Sequence, residues 1–142
     1  MKEEDLYEVH QIEKESFTMP WNYEDFKEAI APNNYYQKLY LVAEKQGEII
    51  GYCGLWAIAG EGQINNVVVK KEYRGKHIGY EMLQTLIKLG LKNNLIRFTL
   101  EVRLSNTPAI KLYHNLGFED AGIRKNFYDF PKEDAIIMWL KY

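Results

Sequence analysis

Three β-branched residues in a row, Val67-Val68-Val69, lead through a short basic loop into a helical stretch and then a second strand-like run at 95–102. Branched side chains favour extended backbone, so the valines close a strand. After the loop, Ile78, Met82, Leu83, Leu86, Ile87 and Leu91 recur at helical spacing, and Asn93-Asn94 ends the pattern. An antiparallel pair needs only a tight turn, whereas a strand, a crossover helix and another strand imply parallel pairing. The stretch therefore predicts a mixed α/β fold.

The flanking segments fit that frame. Leu6, Val9, Ile12 (or Glu13) and Phe17 predict an amphipathic helix over 4–17, broken by Pro20-Trp21. Asn22, with Asp25 three residues on, predicts the cap of a second short helix carrying Phe26, Ala29 and Ile30 and ending before Pro32. The period then shortens: 39–44 and 49–58 read as a strand hairpin about Gln46-Gly47, with Gly51 and Gly54 marking a bulge or a close backbone approach. A third strand over 63–69 follows the turn at 60–62. Further on, 106–116 reads as a helix with Pro108 in its first turn and Gly117 as its C-cap, and 118–127 and 135–140 as a strand pair around Asp129-Phe130-Pro131.

Composition narrows the function classes. With 142 residues and no linker or repeat, the chain reads as one domain over 1–142. Its 46% hydrophobic share is too high for intrinsic disorder, and a formal net charge of −2 gives no electrostatic footprint for nucleic acid. No apolar run approaches the ~20 residues of a membrane span, and the acidic start Met1-Lys2-Glu3-Glu4-Asp5 has no apolar segment behind it, so a cytoplasmic protein is expected. The single Cys53 has no partner within the chain for a disulfide and lies in an apolar run, far from any His or Asp that would activate it as a nucleophile. His10, His77 and His114 show no metal-ligand spacing, so no metal is expected.

Two segments carry possible chemistry. The first is the loop at 74–80, where glycine and the free N–H groups of a helix start make an anion site, with Lys70, Lys71, Arg74 and Lys76 concentrating positive charge. A solvated basic turn would look the same, and the loop is too short for a P-loop of nucleotide triphosphatases. The second is Leu100-Glu101-Val102-Arg103-Leu104-Ser105-Asn106. Strand alternation puts Phe98, Leu100 and Val102 on one face and Thr99, Glu101 and Arg103 on the other. Glu101 is read either as one partner of a salt bridge to Arg103 or a lysine, or as a partly desolvated general base near a strand's carboxyl end.

Together these residues resemble the GNAT acetyltransferases. The motif of that family, Q/R-x-x-G-x-G/A, matches Arg74 and Gly79, with His77 standing where the first glycine belongs. The 100–106 segment, with Ala109-Ile110-Lys111-Leu112-Tyr113, Leu116-Gly117-Phe118, Arg124, Tyr128 and Glu133-Asp134-Ala135, is similar to the bacterial members that acetylate the N-terminal alanine of a small-subunit ribosomal protein. Phe17, Pro20 and Trp21 resemble the aromatic-Pro-Trp loop of those enzymes. The resemblance covers nearly the whole chain and implies a mixed central sheet with splayed parallel strands flanked by helices. Family members usually start with a short strand, which here is expected to be short or missing.

The resemblance also implies roles. Acetyl-CoA would be the co-substrate, without metal. Backbone groups of Val67, Val68 and Val69 would line its acetyl and pantetheine part. Amides of Gly75, Lys76, His77, Ile78, Gly79 and Tyr80 would hold the pyrophosphate at a helix N-terminus, and Asn106 would touch the cofactor from the neighbouring helix start while capping its own helix. Glu101 would be the general base and Tyr113 the general acid. A pocket for the acceptor, a ribosomal protein N-terminus, would be framed by Trp21, Arg124 and Tyr128, although Phe127 replaces a tyrosine common in the family. Tyr113, Trp21 and Tyr128 each fit plain packing as well. The alternatives are a GNAT enzyme for a small amine (polyamine or antibiotic) and a non-catalytic acyl-CoA-binding module. A monomer or weak dimer is expected, with no nucleic-acid or membrane partner.

Overall fold

In the computed structural model, residues 1–17, 19–32 and 37–142 are described. A 3-10 turn at Glu3–Asp5 opens into α1 (Leu6–Ser16), followed by α2 (Tyr23–Ile30), β1 (Gln37–Lys45), β2 (Glu48–Ile58) and β3 (Glu61–Val69). After a second 3-10 turn, Lys71–Tyr73, come α3 (Ile78–Lys92), β4 (Arg97–Arg103), α4 (Thr107–Asn115), β5 (Glu119–Tyr128) and β6 (Glu133–Lys141). The strands form one sheet in the order β1-β2-β3-β4-β6-β5. Among the described residues no strand precedes α1, and no helix is long and apolar enough to cross a membrane.

Local signals account for most boundaries. Asn22 Oδ1 accepts from the Asp25 N–H at 2.9 Å and Asp25 Oδ2 accepts from the Asn22 N–H at 2.9 Å, a reciprocal cap that starts α2. Asn106 caps α4 by accepting from the Ala109 N–H at 3.3 Å. Strand β4 starts at Arg97 rather than 95, because the Leu95 N–H closes α3 onto the Gly90 carbonyl at 3.0 Å. Conversely β3 begins two residues earlier than the 63–69 reading, since its pairing with β2 runs on to Ile58↔Glu61.

Helices cover both faces of the sheet. Cys53, Leu55, Leu83, Leu86, Phe98, Leu100 and Tyr113 share one core with α3 and α4. Across the sheet, Tyr52 and Val68 join Leu6, Val9, Ile12 and Phe26 of α1 and α2. Tyr52 and Cys53 adjoin in one strand, so alternation sends them to opposite faces. Gly54 marks a close approach: a Cβ there would lie 2.0 Å from the Tyr40 ring. A register shift beside it leaves Asn65 unpaired in β3.

The feature that shapes the site is where pairing stops. All neighbouring strands are antiparallel except β3 and β4, which pair in parallel over three positions only: Glu61↔Arg97, Gly62↔Phe98 and Gln63↔Thr99. Beyond them the strands part, leaving the facing edges of 64–69 and 100–103 without a partner strand. The expected splayed parallel pair is thus present.

Candidate active site

A cavity of about 690 Å³ fills the space where β3 and β4 separate. Val67, Val68 and Val69 form one wall, Ile78, Gly79 and Tyr80 of α3 the end, and Asn106, Ala109, Leu112 and Tyr113 the opposite wall. Ser16 and Phe17, at the end of α1, line it from the other face of the sheet. The cavity therefore connects the two faces.

The helix end is built as an anion site. The first intrahelical bond of α3 runs from the Glu81 N–H to the His77 carbonyl at 3.1 Å, so the N–H groups of Ile78, Gly79 and Tyr80 precede the ladder. Gly75 and His77 are left-handed, with φ of 78° and 65°. This accounts for the glycine of the family pattern at position 77: the constraint is on the backbone, and histidine tolerates that region better than most residues. The His77 ring turns to an edge contact with Tyr80, centroids 5.6 Å apart. Gly79 is set by packing, since a Cβ there would lie 3.3 Å from Leu112 Cδ2 of α4.

The nearby cations are organised around Tyr73. Glu48 accepts from Lys70 Nζ at 2.8 Å and from the Tyr73 hydroxyl at 3.1 Å, and these bonds hold its carboxyl below the usual range. Lys45 and Lys76 stand over the Tyr73 ring at 5.7 and 5.6 Å, and Arg74 Nε donates to the Val69 carbonyl at 2.9 Å. Lys76 is not among the residues lining the cavity. Its side chain is held by the tyrosine.

Tyr113 is 7% exposed, packs edge-on against Phe118, and makes no hydrogen bond among the described residues. Burial pushes its phenol above the ordinary range, which keeps the proton on oxygen. Glu101 does not line the cavity. It lies on the α1/α2 face of β4, with its side chain 16% exposed and Oε1 3.7 Å from Arg124 Nε. The expected pairing of Glu101 with Arg103 or a lysine is corrected here, because the guanidinium of Arg103 is taken elsewhere. Arg103 donates to the carbonyls of Pro131 (2.9 Å) and Asp129 (3.2 Å) and to Glu133 Oε1 (3.2 Å), and lies over the Tyr128 ring at 4.3 Å. Burial first, and then the charge of Glu101, push the Tyr128 phenol up to about 12; Tyr128 in turn is an electrostatic neighbour of Tyr113.

The structure thus groups Val67, Val68, Val69, Gly75, His77, Ile78, Gly79, Tyr80, Asn106 and Tyr113 in one cavity, with Glu101, Arg124 and Tyr128 beside one another nearby. Trp21 stands apart: its ring packs on Phe26 at 5.1 Å, away from the cavity lining. Cys53 is fully buried and its thiol is pushed up to about 12 by burial, so it is held as a thiol. Among the described residues no group of three or more His, Cys, Asp or Glu is placed to hold a metal ion.

Sequence reading missed two parts of this neighbourhood. One is the Arg103–Glu133 latch, whose partners lie 30 residues apart in the chain. The other is Glu13, 3% exposed, which accepts from the Trp21 N–H at 2.8 Å and from the Tyr52 hydroxyl. Its signal was visible as a carboxylate sharing the apolar stripe of Leu6, Val9 and Ile12.

Comparison with known proteins agrees with this geometry. The acetyltransferase (GNAT) family matches residues 6–118. A Bacillus subtilis protein provisionally named a ribosomal protein bS18-alanine N-acetyltransferase is 42% identical over 140 residues, covering 99% of this chain and 91% of that one. The crystal structure of the ribosomal-protein-S18-alanine N-acetyltransferase from Escherichia coli superposes with a TM-score of 0.88 at 31% identity, covering 99% of this chain and 90% of that one. A Bacillus anthracis protein provisionally described as a streptothricin acetyltransferase, solved with acetyl coenzyme A, shares the fold with a TM-score of 0.72 at 24% identity, covering 82% and 68% of the two chains.

Proposed function

The chain belongs to the GNAT acetyltransferase family, and from that premise we propose that it transfers the acetyl group of acetyl-CoA to the N-terminal alanine of a small-subunit ribosomal protein. The observation that carries the reading is the parting of β3 and β4, which opens the sheet to groups on both faces. The free strand edge of Val67–Val69 and the unladdered N–H groups at the start of α3 suit a long ligand with an amide-bearing arm and a pyrophosphate. When bound, acetyl-CoA supplies an activated acetyl thioester.

The acceptor amine is mostly protonated at neutral pH, with an α-amino pKa of roughly 7.7–8.0, and must lose that proton to react. Glu101 takes it, directly or through water, from the α1/α2 face. The amine nitrogen bonds to the acetyl carbon as the carbon–sulfur bond breaks. Tyr113, still protonated because it is buried on the opposite face, gives its proton to the departing sulfur. Arg124 and Tyr128 frame the acceptor beside Glu101. Trp21, packed on Phe26 outside the cavity lining, stands behind that frame.

A thiol-release assay tests the reading. Acetyl-CoA is offered with an alanine-initiated ribosomal peptide, a methionine-initiated peptide and spermidine. The alanine peptide is expected to react fastest; a higher rate with spermidine would replace the acceptor assignment with a small-amine one, and no thiol release with any amine would favour a binding module.

A further inference from the structure

Glu13 is a charged side chain held at 3% exposure, and the chemistry above makes no use of it. Burying a carboxylate costs several kcal/mol unless it is well paired, so its partners show what the arrangement maintains. Its main-chain carbonyl accepts from the Phe17 N–H at 3.1 Å, and its carboxylate accepts from the Trp21 N–H at 2.8 Å. One residue thereby holds the backbone both at Phe17 and at Trp21. The other carboxylate oxygen accepts from the hydroxyl of Tyr52, which pairs in the sheet with Val68, a residue of the cavity wall. Trp21 is thus referenced to the strand that shapes the cavity. Phe17, at one anchored position, and Met19, between the two, are exposed apolar side chains, and Phe17 lines the cavity.

We infer that Glu13 is a positioning residue for the acceptor: its carboxylate holds the backbone at Trp21 so that Phe17 and Met19 form an apolar rim for the residues that follow the acceptor's N-terminus. This rests on the proposed acetyl transfer to a peptide end.

Steady-state kinetics on the full chain, with amide hydrogen exchange as a second readout, provide the test. Glu13→Ala is expected to speed exchange at the Trp21 amide and to raise KM for the alanine peptide about tenfold, the equivalent of about 1.4 kcal/mol, with kcat within about twofold and KM for acetyl-CoA unchanged. Glu13→Gln keeps an acceptor oxygen and the shape, and is expected to restore most of the peptide KM. Met19→Ala, at a site 67% exposed where folding is not at stake, is expected to raise the peptide KM alone. A parallel rise in the KM for acetyl-CoA in Glu13→Ala would mark general distortion and overturn the inference. So would an unchanged peptide KM in Met19→Ala, or unchanged Trp21 exchange in Glu13→Ala. If the wild-type protein left the alanine peptide untouched, the acceptor assignment would fall by itself, and Trp21 exchange would still decide whether the carboxylate holds the backbone there.

Discussion

Single atoms decide the chemistry at Tyr113. Its hydroxyl has no hydrogen-bond partner among the described residues and its ring lines the cavity, so Tyr113→Phe removes only that hydroxyl while keeping the ring contact with Phe118. Stability should hold or rise slightly, whereas kcat should fall if thiolate departure needs that proton. Glu101→Gln keeps size but not basicity, and a loss of about 10²–10⁴-fold in kcat with acetyl-CoA binding intact is expected. A kcat within twofold of wild type across pH 6–9 would assign the carboxylate to the Arg124 pair alone. His77 offers a test in the opposite direction. A non-glycine residue in the left-handed region costs about 1–2 kcal/mol. His77→Gly should therefore stabilise the fold by up to about 1 kcal/mol after the added unfolded-state entropy, with unchanged acetyl-CoA affinity, while His77→Val should destabilise it. Thermal melting with and without ligand reads both.

At the level of elements, the β5–β6 turn depends on a residue of β4. Arg103 ties the carbonyls of Asp129 and Pro131 to the strand that carries Glu101, and Glu133 adds an acceptor for the Ser105 N–H at 2.6 Å. Lysine cannot reproduce a planar fork with several donors, so Arg103→Lys is expected to lower kcat/KM for the peptide about tenfold while leaving acetyl-CoA binding unchanged. Equal losses for peptide and acetyl-CoA would show that the latch supports the fold at large. Elements whose cause is local were legible in the sequence: the Asn22 and Asn106 caps, the alternation of β4, and the valine strand running into a helix start. What was not legible arises between segments far apart in the chain. Arg103 had Glu101 two residues away, yet three acceptors from the 129–133 turn take its guanidinium because the sheet brings that turn over the end of β4. Likewise the separation of β3 and β4 has no residue pattern of its own.

Over the whole molecule, two glutamates give stability opposite dependences on pH. Burial raises the carboxyl of Glu13, so the folded state holds that proton more tightly than the unfolded chain. Its contribution is fully present below the ordinary carboxylate pKa and is lost as pH rises through the raised value. The carboxyl of Glu133 is lowered, chiefly by Ser105, so its contribution is present above the ordinary pKa and is lost as pH falls through the lowered value. Glu13→Gln should therefore flatten the decline in melting temperature on the alkaline side of the carboxylate range, and Glu133→Gln should blunt the loss on the acid side. Melting curves from pH 3 to 8 decide both.

Three parallel residue pairs, flanked by the bond from the Ile96 N–H to the Gly60 carbonyl, join two antiparallel halves of the sheet, β1-β2-β3 and β4-β6-β5, and each half is continuous in sequence on its own side of α3. The protein should therefore be divisible. A backbone cut in the Asn93-Asn94 turn would yield two fragments, each with its own antiparallel half, reassembling by packing α3 and the shared apolar core. A ligand bridging the seam should tighten that reassembly, so complementation of the fragments should strengthen with acetyl-CoA concentration, read as fluorescence energy transfer between labels on the two pieces.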